Sequence, residues 1–452
     1  MATMATSERW TRPTARSLVA PLAALAGWIA FSWYLIVQAR AGPAIIWNDS
    51  KAYAAVASKS LWSTSFWAGQ RPPLLPLLIK AFGSSSGLLT AQAVIGAMAW
   101  GILALTVGRL APPGGQRVFA IWVVLGFGTT LPVTMWNRSV LSESLAMSTL
   151  ALVFAGFIWT VRRVTWPRIA ATTAAGAAFA ATRDAQVWTV VLLAVAAGVF
   201  ALTQFRTSRL VALRAGVLAG CLLAVGTLFE LGTTSSHRTT QDVADVFYVR
   251  VFPFPDRVAW FAAHGMPQQS RIDSMAAAAP NQAQTARVVA FAKADPALKP
   301  LEQWILAHGP SAYLLWIGTH PWYVVTEPLQ RPERSFNFDQ GNLTSYAATT
   351  NRMESPLTPV MWPPLLELSI MAALAIYLAI LSEAWRQRPW RAVVVLTIVG
   401  VLAMLVAWHG DGQEVTRHTV EGFAEIRLGV WIMVIVGLTG IVDTRGGTHS
   451  MR

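Results

Sequence analysis

The sequence holds a single cysteine, Cys221, in 452 residues. That excludes an intramolecular disulfide, so any part of the chain outside a reducing compartment must be held by packing alone. Lysine is nearly as scarce: five residues, beside thirty arginines. Charge of either sign is thin, with 13% Asp, Glu, Lys and Arg against 54% hydrophobic residues. A mean hydropathy of +0.47 is unusual for a water-soluble domain. No internal repeat and no low-complexity tract interrupts the chain.

What it has instead are apolar runs of bilayer length. Ten spans are predicted at roughly 18–38, 86–108, 117–136, 140–161, 167–182, 185–204, 210–232, 358–381, 391–408 and 424–442. The expected fold is therefore an all-α membrane protein of about ten transmembrane helices. Arg9, Arg12 and Arg16 lead straight into the first run, with no small-residue cleavage site between. The N-terminus is accordingly expected to be a retained cytoplasmic anchor, and an even span number places the C-terminus on the same side.

Charge placement supports that topology. The segments assigned to the cytoplasm carry sixteen arginines against Glu8, Glu383 and Asp443, which accounts for the whole net charge of +13. The rest of the chain is balanced. This is the positive-inside bias of short loops, and it explains the high isoelectric point without nucleic acid as a partner. The expected location is the plasma or inner membrane, with chemistry on the extracytoplasmic face and membrane lipids as constant neighbours.

Three regions follow from the spans. Residues 1–232 form an N-terminal transmembrane module with a first outer loop at 39–85. Residues 233–357 form an extracytoplasmic insertion with ten basic and ten acidic side chains. Residues 358–452 carry the last helices. In the first loop, Ser50 to Leu61 suits an amphipathic helix, and Trp47, Trp62, Phe66 and Trp67 suit the interface. Pro72, Pro73 and Pro76 stiffen the backbone before a short apolar helix, Leu74 to Phe82. In the insertion, Gln282–Phe291 and Ala297–His308 have helical character, Pro310–Thr326 suits the interface, and Arg331–Glu354 reads as a polar loop over a site.

The cytoplasmic turns are short, basic and chemically plain. The outer connections are not. They bring Asp49, Glu143, Arg183, Asp184, Glu230, Glu367, Asp411, Glu414, Arg417, His418 and Arg427 to the ends of spans, where ionisable groups are costly and point to function, and Arg71 lies in the first outer loop. The loop at 409–418 leads on through Glu421 and Glu425 to Arg427 at the mouth of the last span. A carboxylate there can take a proton from an attacking hydroxyl. Arginines can hold a phosphate bidentately and stabilise it as it leaves. Each has a plainer reading: Asp49 as a helix N-cap, Glu143 as a partner of the helix dipole, Arg71 and Arg183 as headgroup anchors, and Arg417 and His418 as part of a solvated loop. Glu230 and Glu367 read as helix-end residues. The histidines His237, His264, His308 and His320 show no metal-ligand spacing.

Four stretches taken in order carry a resemblance: Asn48-Asp49-Ser50-Lys51-Ala52-Tyr53, Arg71-Pro72-Pro73-Leu74-Leu75-Pro76, Val140-Leu141-Ser142-Glu143-Ser144-Leu145 and Ala181-Thr182-Arg183. Together with an N-terminal anchor, they resemble the GT-C superfamily of membrane glycosyltransferases over roughly residues 20–205. That superfamily includes protein O-mannosyltransferases, aminoarabinose transferases and actinobacterial arabinosyl- and mannosyltransferases. The resemblance implies a hexosyl- or pentosyltransferase using a polyprenyl-phosphate sugar donor, with the first-loop Asp49 as general base and a glycan, lipid or protein as acceptor. Arg71, Arg183, Arg417 and His418 are the candidate donor-phosphate ligands, with Glu143, Asp184, Asp411 and Glu414 as further site candidates. No cofactor is required by this reading, no metal ligands are assigned, and metal dependence stays open. The first loop departs from better-known members in lacking a clear second acid beside Asp49. The competing reading is a transporter or lipid-linked-sugar flippase, which predicts paired repeats and charges buried within spans; a non-catalytic scaffold leaves the one-sided chemistry unexplained.

Overall fold

The computed structural model describes residues 15–83, 86–236, 239–267, 296–330, 355–410, 412 and 415–447. Among them the secondary structure is helical, apart from one isolated parallel bridge between Ile45 and Ser139. Helix α1 spans Ala15–Arg40, α2 Asn48–Ala57, α3 Leu74–Phe82, α4 Ser86–Gly108 and α5 Gly115–Gly128. Helices α6 (Glu143–Arg162), α7 (Trp166–Ala180), α8 (Asp184–Gln204) and α9 (Arg209–Ser235) follow. The insertion contributes α10 (Thr239–Val246), α11 (Pro255–Ala263), α12 (Lys299–Thr319) and α13 (Pro321–Gln330). The chain then closes with α14 (Leu365–Leu381), α15 (Arg388–Gly410) and α16 (Val420–Gly447).

The chain is a multi-pass membrane protein: among the described residues seven helices, α1, α4, α6, α8, α9, α15 and α16, are long and apolar enough to cross a bilayer. The other three predicted spans are shorter helices. Residues 117–136 divide at Thr129, leaving the 14-residue α5 and a separate turn Leu131–Thr134, because Pro132 lacks an amide proton to continue the first helix. Pro363 and Pro364 likewise delay α14 until Leu365, giving 17 residues, and α7 has 15. Helix α3 falls where the sequence places it and stops at Gly83, whose φ of 73° a side chain would resist.

Packing follows chain order at first and then breaks it. Helix α4 lies against α1, α5 and α6, α6 against α7, and α8 against α9. Helices α15 and α16 form a hairpin that packs on α14 and also reaches back to α6 and α8. One apolar core runs through all of these, with Trp100, Phe127, Phe154 and Phe179 almost wholly enclosed. A second core belongs to the insertion, where Phe247, Phe261 and Tyr313 gather; the Phe247 and Phe261 rings meet edge to face at 4.9 Å. Each such buried aromatic contributes roughly 1.5–3 kcal/mol.

Two predictions for the insertion need adjusting. Pro310 does not end a helix: α12 continues through it to Thr319, so Ala297–His308 and the start of Pro310–Thr326 share one element. Gln282–Phe291 and Arg331–Glu354 lie outside the described residues.

Candidate active site

The first loop is tied to two later connections by backbone hydrogen bonds, and those ties build the site. The Ile45 amide donates to the Arg138 carbonyl at 2.8 Å, and the Val140 amide to the Ile45 carbonyl at 3.0 Å. The Leu74 amide donates to the Ala181 carbonyl at 3.0 Å. The first tie sets α2 beside the start of α6; the second sets the Pro-rich run beside the start of α8. Side chains reinforce them: Ser50 Oγ donates to the Val140 carbonyl at 2.8 Å, and Tyr53 Oη to Ser142 Oγ at 2.9 Å. Asp49, Glu143 and Arg183, far apart in sequence, are thereby brought to one end of the bundle.

The turn Val415–His418 between α15 and α16 completes it. Asp49 Oδ1 accepts from Arg71 Nη2 at 2.6 Å, and its Oδ2 lies 3.0 Å from Arg417 Nη2. Arg417 Nε donates in turn to Glu143 Oε1 at 2.5 Å. Arg183 Nη1 stands 3.5 Å from that same oxygen and donates to Glu421 Oε1 at 2.7 Å and to the Arg417 carbonyl at 3.3 Å. Three arginines and three carboxylates thus form one continuous chain. Burial grades along it: the Glu143 and Glu421 side chains are enclosed, whereas those of Asp49 and Arg71 are 28% and 35% exposed.

Asp49 does not cap α2. Trp47 occupies the cap position, its amide donating to Ser50 Oγ at 2.9 Å, while the Asp49 carboxylate turns sideways to the arginines. It keeps the benefit of the positive helix end. Burial, and then the nearby Glu143, raise the Tyr53 phenol above its ordinary range, so it remains a hydrogen-bond donor. Burial pulls the Arg183 guanidinium down, but Glu421 and Glu143 outweigh it and hold the group above its ordinary value.

A cleft of about 210 Å³ opens at the exposed end of this chain. Asp49, Tyr53, Arg71, Ser142, Arg183, Asp184, Arg417 and His418 face it from the polar side. Trp188, Val406 and Ala407 form an apolar wall, and Glu230 and Thr233 of α9 close it. Asp184 accepts from Thr233 Oγ1 at 2.8 Å, fixing α8 to α9 at the rim. Glu143 does not line the cleft; it lies beneath it and positions Arg417 and Arg183. Asp411 and Glu414 lie outside the described residues.

Four residues that the sequence does not assign to the site contribute to it: Glu421, Tyr53, Ser142 and Glu230. Glu421 sits in the first turn of α16, which begins at Val420 and not at 424, so Glu421, Glu425 and Arg427 are enclosed within the bundle and not at a loop mouth. Running the last apolar helix back to Thr419 would have exposed Glu421 as a buried acid in search of a cation. Tyr53 and Ser142 carry no local signal, since hydroxyls are common at helix ends. Glu230, read as a helix-end residue, faces the cleft. Among the described residues no three His, Cys, Asp or Glu side chains gather as a metal site.

No known protein family's sequence profile matches the chain, and no curated protein matches it in sequence. Among solved structures, the archaeal oligosaccharyltransferase AglB from Archaeoglobus fulgidus, in complex with an inhibitory peptide and a dolichol-phosphate, is similar with a TM-score of 0.46 and 13% identity. The match covers 95% of this chain and 51% of that one, so the chain spans about half its length.

Proposed function

We propose that the protein is an inverting membrane glycosyltransferase that moves a sugar from a polyprenyl-phosphate donor to an acceptor hydroxyl, with Asp49 as general base. The observation that carries the reading is the partly exposed Asp49 carboxylate at the mouth of a cleft, held between Arg71 and Arg417. A carboxylate and two cations at one opening match a reaction that removes a proton and expels a phosphate. The apolar wall of Trp188, Val406 and Ala407 suits the first isoprene units of a lipid donor. The charge bias of the opposite turns supports an extracytoplasmic position for this cleft.

In this mechanism the unliganded ion pairs are a resting state. An entering phosphate competes with Asp49 for Arg71 and Arg417, because a bidentate arginine–phosphate pair is at least as favourable as arginine–carboxylate. The arginines then turn to the donor, and Asp49 is left to accept the proton of the acceptor hydroxyl. The acceptor oxygen attacks the anomeric carbon, the bond to the phosphate oxygen breaks, and polyprenyl phosphate departs with its charge on the guanidinium groups. Glu143 and Glu421, buried behind, hold Arg417 and Arg183 in place throughout.

Both Asp49 oxygens already face guanidinium groups, and those groups supply the positive charge the leaving phosphate needs. Turnover is therefore expected to persist in excess chelator; loss restored by a divalent cation would overturn that part. The reading as a whole is tested with the full chain in liposomes holding a polyprenyl-phosphate sugar. Wild type should form glycosylated product, and folded Asp49→Asn should not. Uptake of the sugar lipid across the bilayer with no covalent product would replace the assignment with transport.

A further inference from the structure

A cavity larger than the Asp49 cleft is at the other end of the bundle from it. It measures about 760 Å³ and lies between α1, α4 and α5. Its walls are apolar, supplied by Ala24, Leu25 and Trp28 of α1, Ile102 and Leu105 of α4, and Ile121 of α5. Trp28 is held as one wall by its indole N–H, which donates to the Ala97 carbonyl at 2.9 Å. The polarity changes only at the mouth, where Arg109 follows α4 and Arg117 lies in the first turn of α5.

Among the described residues nothing neutralises those two arginines. No acidic residue lines the cavity, and neither arginine pairs with a carboxylate among the described residues. Arg117 Nη2 makes a long contact of 3.4 Å to the Ala111 carbonyl, and its buried Nε has no hydrogen-bond partner. Arg162 adds a third guanidinium, its Nη1 donating to the Arg109 carbonyl at 3.3 Å. The smaller arginine-edged cavity of about 290 Å³ between α6, α8 and α15 differs, because Arg388 there is engaged by Gln204 at 3.3 Å and Arg391 by the Trp385 carbonyl at 3.0 Å.

We infer that the cavity between α1, α4 and α5 is a binding site for one anionic phospholipid, its acyl chain among α1, α4 and α5 and its phosphate on Arg109 and Arg117. An apolar slot of this size, capped by cations where α4 ends and α5 begins, has the form of a lipid site and not of a soluble-anion site. A zwitterionic lipid would fill the same slot but leave the arginines without a net opposite charge. This goes beyond the proposed transfer reaction and does not depend on it.

Native mass spectrometry of the detergent-purified full chain tests it, with phosphatidylglycerol and phosphatidylcholine of equal chain length as probes. Wild type should retain phosphatidylglycerol in preference, and an Arg109→Gln/Arg117→Gln variant should lose about thirtyfold in that preference. Ile102→Trp, which fills the slot, should weaken both lipids alike, and soluble glycerol phosphate should fail to displace the bound lipid. If the double variant does not fold, Arg109→Gln alone, at an exposed position, should lose about fivefold. Equal retention of the two lipids by wild type, an undiminished preference in the folded variant, or displacement by glycerol phosphate would each overturn the inference.

Discussion

Two buried assemblies of arginine and carboxylate flank the same end of α15, and they are built for different ends. At the base of the insertion, Arg250 Nη1 donates to both oxygens of Glu327, at 2.7 and 2.6 Å. Its Nη2 donates to the Trp408 carbonyl, and the Trp408 indole N–H donates to the same carboxylate. Both side chains of the pair are enclosed, at 4% and 7% exposure. Arginine, carboxylate and tryptophan here bind one another. A few residues further on, the Asp49 chain stays open: it begins with enclosed acids and ends on a carboxylate and a guanidinium that face a cleft. A buried ion pair alone therefore says little about chemistry. What separates a candidate site from a clamp is that one end of the network reaches a cavity with charge that a ligand can take over.

The sharpest break in this comparison is Asp49→Asn. The amide keeps the shape and removes the proposed base, so turnover should fall by about a hundredfold to ten-thousandfold with the protein still folded. Measured product formation near wild type would reduce the open network to a second clamp. Next in size is Glu327→Ala, which leaves Arg250 enclosed without its carboxylate. Breaking a buried pair on one side costs about 3–5 kcal/mol, so thermal unfolding should shift strongly downward. Turnover per folded molecule should hold, because Glu327 does not line the cleft. A large fall in kcat without loss of stability would show the clamp to be part of the site.

Arg71→Gln should act more gently than either. Its side chain is 35% exposed and stands over the Tyr53 ring at 5.5 Å, so little stability rests on it. As one of the two cations proposed for the donor phosphate, its loss should lower kcat/KM for the lipid donor by about tenfold to a hundredfold. A variant with unchanged donor kinetics would leave Arg417 as the phosphate ligand by itself.

How far this contrast could be read from sequence depends on the range of the interaction. Apolar runs of bilayer length announce helices locally, so α1, α4, α6, α8 and α9 fall close to their predicted bounds. Proline and short length spoiled the prediction at α5 and α14. Asp49, Arg183 and Arg417 are legible as ionisable groups at span ends and Arg71 as a cation of the first outer loop, and the structure brings them to one cleft. Their pairing was not legible, since Arg417 meets Glu143 across 274 residues of chain. Arg250, Glu327 and Trp408 left no trace for the same reason: each is ordinary in its own segment, and only docking of the insertion on α15 joins them.

The smallest expected effect is one of pH, and it separates the two assemblies without disturbing the cleft. Burial pushes the Glu327 carboxyl up, but Arg250 and the Trp408 indole outweigh it and hold the group below its ordinary value near 4.5. A carboxyl depressed in the folded state lends stability that is fully present above its unfolded pKa and is lost as pH falls through the folded one. From pH 7 down to about 5 the clamp should contribute a constant amount. Below 4.5 the wild-type unfolding temperature should fall towards that of Glu327→Gln, which has no charge to lose. The difference between the two proteins is the quantity to plot, since it cancels every other titrating group they share. A difference that stays level down to pH 3 would mean that the Glu327 charge does not hold the insertion on α15, and that Trp408 and the aromatic core do so alone.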